Sequence, residues 1–372
     1  MSKAPQHFVL LDAMRGVAAL TVLWGHLADA WHHPGGQDYI LAVDFFFILS
    51  GFVIAHAYQR KLTTDLSVFA FYRTRVIRLY PLLMVGAFIG GMSLLVIHAD
   101  EPAWSVGNIV ATTMLAALAL PSFLLPTDAA FPANGPAWSL FFELIANFAY
   151  APLARLLTRN RLVVLTVLAA VLLAINTMQR GTIESGWSRY ELLGGLIRVF
   201  FGFTCGLMLY HVRPAWKLSQ RWGVALVLLL AAILISPTTH YAAGQLVLVV
   251  FVMPPIVWLG SAIEATGALA AWGSFLGTLS YPIYILHKPV LELSTRVFGH
   301  LAPAVDWHVW TVIQVGMFVA LAWVGLRFVD EPVRAWLTRR VKHALSSRDG
   351  GAPAHASPAP VKADSPSEAA RD

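Results

Sequence analysis

Hydrophobic residues in this chain come in repeated runs of roughly 15 to 22, close to the ~20 residues that carry an α-helix across a ~30 Å hydrocarbon layer. The runs lie near 8–28, 39–58, 79–98, 106–125, 137–154, 162–177, 192–211, 222–236, 244–262, 273–293 and 309–329. They lack the two-residue alternation of barrel strands, so the pattern predicts helices. Basic residues between the runs set the topology. If all eleven runs crossed, the loops holding Arg155, Arg159 and Arg161, and Arg213, Lys217 and Arg221, would face outward. If the fourth run, interrupted by Pro121, enters without crossing, those loops and the basic stretch near 59–78 all face the cytoplasm. The pattern therefore predicts an all-α polytopic membrane protein with ten transmembrane helices and one re-entrant or interfacial segment at 106–125. Both termini are expected in the cytoplasm. Asp29, Asp38, Asp100, Glu101 and Asp128 fall in the loops left outside.

Composition agrees with a chain that meets lipid: 58% hydrophobic and only 12% charged residues, with a mean hydropathy of +0.66. That lies outside the usual range of soluble domains. The net charge of +6 does not indicate nucleic acid, because the basic residues cluster between spans. The first run carries charges and no small-residue cleavage site, so it reads as a retained helix. A single cysteine, Cys205, excludes a disulfide framework. From about 344 the sequence turns to Ala, Pro and Ser without apolar periodicity. The expected domains are a membrane domain, 1–343, and a disordered cytoplasmic tail, 344–372.

An ionisable residue inside a span costs at least ~2.5 kcal/mol at the bilayer centre, which makes it a functional candidate. The first run holds Asp12, Arg15 and His26. Asp12 and Arg15 share a helix face and can neutralise one another. Arg15 and His26 project from nearly the same face about 16 Å apart along the axis. In the ten-span topology Glu143 and His287 join His26 in the outer half, which suits proton transfer. A proton-coupled transporter fits the same groups, and Glu143 could instead pair with an arginine such as Arg198. Arg73, Arg75 and Arg78 stand at the start of the third run, where guanidinium groups either anchor topology or bind phosphate. His32 and His33, without a third ligand, do not make a metal site. The tryptophans near span ends, Trp31, Trp104, Trp187 and Trp307, fit interfacial belts.

Five stretches in order, "LLDAMRGVAALTVLWGH", "VDFFFILSGFVIA", "FYRTRVIRLYP", "PAWSLFFELIANFAY" and "LSYPIYILHKPV", resemble the acyltransferase-3 superfamily of bacterial integral membrane O-acyltransferases, in its stand-alone type without a soluble esterase domain. The first has ten residues between Arg15 and His26, as in that family. The resemblance implies that His26 is the essential histidine with Arg15 as its partner. Arg73, Arg75 and Arg78 would engage the acyl donor, and Glu143 would be the acidic residue of the tryptophan-serine motif. Phe141 and Phe142 stand where many members have a second serine, so Ser139 is the hydroxyl carried over. Ser50 and Gly51 match a stretch read as close helix packing. Asp12, Ser139 and His287 are expected to support the catalytic groups.

The implied function is transfer of an acyl group, acetyl first among candidates, from cytoplasmic acyl-CoA to a hydroxyl of a cell-surface or exported glycan at the bacterial inner membrane. Acyl-CoA is the co-substrate, and neither a metal nor a bound cofactor is expected. A small secondary metabolite as acceptor, or succinyl or a longer acyl group, stays open. In the expected mechanism His26 is a general base whose tautomer Glu143 fixes, or else becomes acylated itself.

Overall fold

The computed structural model describes residues 7–32, 38–98, 104–236, 241–298 and 306–349. Among these, every regular element is helical: α1 Val9–Ala30, α2 Ala42–Thr64, α3 Val68–His98, α4 Val106–Ala117, α5 Ala137–Leu153, α6 Arg159–Arg180 and α7 Leu192–His211 come first. They are followed by α8 Gln220–Ile235, α9 Ala242–Val247, α10 Met253–Gly260, α11 Gly267–Phe298, α12 Trp307–Val324 and α13 Glu331–Asp349. Ten of the eleven hydrophobic runs have become helix along nearly their whole length, and the fourth is helical only over Val106–Ala117. One unit extends to Arg334 and a second begins at Ala335, of which the helical residues to 349 are described. Residues 350–372 of the expected tail lie outside the described residues, as do His33, Asp100 and Glu101.

Local chemistry sets several boundaries. Ser105 caps α4 by accepting a bond from the Asn108 amide at 3.1 Å. Asp306 accepts from the His308 and Val309 amides at the start of α12, and those bonds hold its carboxyl below the ordinary value. Gly181 ends α6 with φ 75°, a conformation that glycine adopts freely.

Among the described residues, seven helical stretches are long and apolar enough to cross a membrane: Tyr39–Thr64, α3, α6, α7, Ala242–Gly260, Gly267–Arg296 and Trp307–Leu345. α1 carries Asp12, Arg15 and His26 and is not among them. α5 and α8 fall short in length. α4, with 12 residues, rises only about 18 Å, too little to cross alone. The chain beyond it folds back through 118–136 into the bundle. There the Asn134 side chain donates to the Ile285 carbonyl at 3.3 Å, and the Ala130 amide donates to the Trp187 carbonyl at 2.8 Å.

α1 packs along α11 in parallel, with Gly277 against the backbone and Cβ of Asp12 and Gly16 against Leu276. Gly273 and Gly277 form a small-xxx-small pair of the kind that lets membrane helices approach closely. Gly202 and Gly206 do the same for α7 against α2, where Gly51 faces the Phe203 carbonyl. The expectation that Gly51 serves close packing is met in this contact.

The most deeply buried charges lie at the α2–α7 contact, where the Arg198 guanidinium binds both oxygens of Asp44 at 3.0 and 2.7 Å. Both side chains are 1% exposed. The same guanidinium donates to the Ser185 and Ile40 carbonyls and lies over the Trp138 ring. Arg198 is therefore matched by Asp44 rather than Glu143.

Removing one member of a buried pair leaves the other uncompensated, with a typical loss of about 3–5 kcal/mol. Asp44→Ala is accordingly expected to lower the thermal midpoint of the detergent-purified protein sharply. An unchanged midpoint would show that the pair does not hold α2 to α7.

Candidate functional site

The polar face of α1 is satisfied by α11. Arg15 donates through Nε to the Ser280 hydroxyl and through Nη2 to the Gly277 carbonyl, both at 2.8 Å. Its Nη2 also lies 3.1 Å from Asp12, one turn away, and Asp12 meets His7 on its other oxygen. The close approach at Gly277 brings that carbonyl within reach of the guanidinium.

Beside Arg15 lies a cavity of about 130 Å³, room for several water-sized groups. Its polar wall holds Arg15, Arg75, Arg78, Glu143, Ser50 and Ser139, and its apolar wall includes Phe46, Leu49, Val53 and Leu79. Three guanidinium groups thus face one carboxylate in the wall. α3 starts at Val68, so the three arginines of its sequence lie within the helix rather than at its mouth. Arg75 and Arg78, separated by about 60° around the helix, reach the cavity. Arg73, about 200° from Arg75, is not part of its wall.

Glu143 is held between α2 and α3. The Ser50 hydroxyl donates to Glu143 Oε1 at 2.8 Å, and Arg75 Nη2 donates to the same oxygen at 3.0 Å. Asn147, one turn on, donates to the Glu143 carbonyl at 2.7 Å. Arg75 is buried, and its Nε has no acceptor among the described residues. Arg75 is engaged with a carboxylate before any ligand arrives, whereas Arg78 is exposed. Ser50 was expected to serve helix packing, but its hydroxyl faces the cavity through Glu143.

The histidines form a separate cluster further along α1 and α11. His287 Nδ1 donates to the Tyr284 carbonyl at 2.7 Å, with the Ile283 carbonyl at 3.2 Å. That leaves His287 Nε2 as an acceptor, 3.4 Å from His26 Nδ1. His26 Nδ1 also donates to the Val22 carbonyl at 3.0 Å. With its hydrogen assigned to Nδ1, His26 carries its lone pair on Nε2, which has no protein partner among the described residues. The Tyr39 ring lies 5.0 Å from that imidazole, and the Tyr39 hydroxyl donates to Asp29.

The sequence placed Glu143 near the depth of His26, fixing its tautomer. Instead Glu143 lies level with Arg75, and the partners of His26 are His287 and Val22. The cause is the folded-back segment before α5. Because Asn134 already sits at the level of Ile285, α5 begins inside the bundle, and Glu143 lies about 10 Å further along its axis from Pro136. Ser139, one turn before Glu143, meets the Tyr284 hydroxyl at 2.7 Å. His26 and His287 do come together as expected, as do Asp12 and Arg15. Among the described residues no group of three or more His, Cys, Asp or Glu could hold a metal.

A family model described as an acyltransferase domain matches residues 8–327, the region that contains the cavity and both polar clusters. The chain belongs to the acyltransferase-3 family. This acyltransferase is 37% identical over 185 residues to "Protein 2 in picA locus" of Rhizobium radiobacter, a match covering 46% of the chain and 95% of that protein. It is 25% identical over 357 residues to the putative peptidoglycan O-acetyltransferase YrhL of Bacillus subtilis, covering 87% of the chain and 54% of the relative. It is 22% identical over 375 residues to the peptidoglycan O-acetyltransferase OatA of Listeria monocytogenes, covering 87% and 55%. The chain thus spans about half the length of these two relatives. No solved structure matches it significantly.

The Arg75–Glu143 contact of this acyltransferase predicts energetic coupling. Arg75→Ala and Glu143→Ala should each destabilise, and the double variant should lose less than the sum, by about 1–3 kcal/mol. A double-mutant cycle of thermal stability in detergent measures the term; strict additivity would show that the contact carries no energy.

Proposed function

We propose that the protein is a membrane O-acyltransferase that moves an acyl group, acetyl first among candidates, from cytoplasmic acyl-CoA to a hydroxyl of a cell-surface or exported glycan. Family membership and the activities for which two relatives are named support the reaction class. The observation that carries the reading within this chain is the alignment of an arginine-walled cavity and a histidine pair along one α1–α11 contact. In this reading α1, α5 and α8 cross together with the seven long apolar stretches, both termini face the cytoplasm, and the membrane is the bacterial inner one. Acyl-CoA is too charged to cross the bilayer, so donor and acceptor must meet through the protein.

The arginine cavity takes the pantetheine arm of the donor, with Arg15 and Arg78 donating to its amide oxygens, and the thioester lies further along the α1–α11 contact at His26. Arg75 holds Glu143 and, through it, Ser50, keeping this polar wall in one arrangement. Arg73, off the cavity wall, is left for the phosphates of the donor. At the other end His26 Nε2 takes the proton from the acceptor hydroxyl as its oxygen bonds to the acyl carbon. The carbon–sulfur bond breaks, and the departing thiolate takes that proton from the His26 imidazolium, which restores the neutral base. His287 accepts from His26 Nδ1–H and so holds the imidazole in the tautomer that exposes the basic nitrogen, the role first assigned to Glu143. Asp12 balances Arg15.

The test uses purified protein, labelled acetyl-CoA and a soluble peptidoglycan fragment. Transfer of label is expected, with His26→Ala lowering kcat at least 100-fold. His287→Ala should lower kcat without changing KM for acetyl-CoA, and His287→Gln, which can still present an acceptor oxygen, should recover part of the loss. Arg78→Ala should raise that KM. Full activity of His26→Ala removes the mechanism, and no turnover by the wild-type protein removes the proposed function.

A further inference from the structure

Where α5 ends and α6 begins lies a groove of about 380 Å³. It shares no residue with the arginine cavity. Leu153, Leu157, Val164 and Leu165 line it together with Asn160 and Arg161. Asn160 and Arg161 each stand four residues before Val164 and Leu165, so the two pairs stack on one face of α6. The polar pair occupies the first turn, and the apolar pair follows about 6 Å further along the axis. The groove therefore passes from polar to apolar in the order in which a phospholipid presents its headgroup and its chains.

The rim of the groove is basic. Arg155, Arg159 and Arg161 stand close together in a stretch, 144–183, that holds no acidic residue. All three are exposed, and among the described residues none of them is ion-paired. Arg161 Nη1 donates to the Leu156 carbonyl at 2.7 Å. That bond spends one of five donors and pins the guanidinium at the groove, and the rest of the planar fork matches phosphate oxygens. α6 is long and apolar enough to cross a membrane, and its Val163, Val167, Leu168 and Val171 side chains are exposed. The helix thus meets lipid, with its arginines at the boundary where headgroups lie.

We propose that this groove binds an anionic phospholipid, with the phosphate held by Arg161 and an acyl chain lying along Leu157, Val164 and Leu165. Arg155 and Arg159 strengthen the attraction for net negative charge without lining the groove. Basic recesses between membrane helices hold such headgroups. Arginines that only orient a span need no apolar recess beside them, and it is the recess that turns a passing lipid into a bound one. The lipid occupies this place whatever reaction the arginine cavity performs.

The experiment mixes the detergent-purified full chain with equal amounts of phosphatidylglycerol and phosphatidylcholine carrying the same chains, and reads the lipid retained by native mass spectrometry. The wild-type protein should keep the anionic lipid about fivefold over the zwitterionic one, the preference that one arginine near a headgroup confers. Arg161→Gln should remove most of that preference, and Arg161→Lys, which keeps the charge, should retain part of it. Val164→Trp, which fills the apolar end of the groove from an exposed position, should lower retention of phosphatidylglycerol with the thermal midpoint unchanged. Excess glycerol phosphate, which has no chain, should not release the lipid, and neither should acetyl-CoA. Equal retention of the two lipids by the wild-type protein, a comparison that needs no variant, would overturn the site, as would wild-type retention in both Arg161→Gln and Val164→Trp. Release by glycerol phosphate would reduce the groove to a phosphate site, and release by acetyl-CoA would give it to the acyl donor; either result overturns the lipid assignment.

Discussion

A guanidinium surrounded by hydrocarbon must find its hydrogen-bond acceptors within the protein, and Arg15 finds them on α11. The Ser280 hydroxyl and the Gly277 carbonyl reach it only because α1 and α11 approach at glycine positions, with no side chain between Gly277 and the Asp12 backbone. This contact fixes two levels at once. Near one end it aims Arg15 into the cavity, and near the other it brings His26 against His287. The rest of the bundle is arranged around that parallel pair, with α2 and α3 supplying Ser50 and Arg75 to hold Glu143 between them.

Polar groups in this bundle are consequently sorted into three sets with different partners. Arg198 and Asp44 neutralise each other where neither meets solvent, which marks them as a connection between α2 and α7. Arg75 and Glu143 are also paired, but at the edge of a cavity, so their contact shapes a space as well as joining helices. His26 and His287 carry no opposite charge between them and are related by a directional hydrogen bond. Chemistry that depends on a lone pair at a defined atom is best served by this third set.

The helices were legible because a span must be apolar over its whole length, and every hydrophobic run but the fourth, which is helical only to Ala117, became helix along nearly all of it. The pairing of Asp12 with Arg15 was legible because it lies within one turn. Contacts between distant helices were less so. Glu143 was placed two turns below Pro136, which holds, but the depth of Pro136 depends on a segment folded back between α4 and α5. Nothing in the local pattern around Pro121 states how far that segment enters. Asp44 was passed over inside an apolar run, although a lone acid there is itself a sign of a distant cation. Arg73 was grouped with Arg75 and Arg78 by proximity in sequence, while a helix beginning at Val68 turns it to another side.

The Asp44–Arg198 pair also bears on how the chain is made. Its members are separated by 154 residues, and synthesis at about 5–20 residues per second puts on the order of ten to thirty seconds between their emergence. During that interval α2 holds a carboxylate whose counter-ion has not yet been translated. The nascent helix therefore has to be sheltered from bare lipid until α7 arrives, and biogenesis of this bundle has a built-in waiting step.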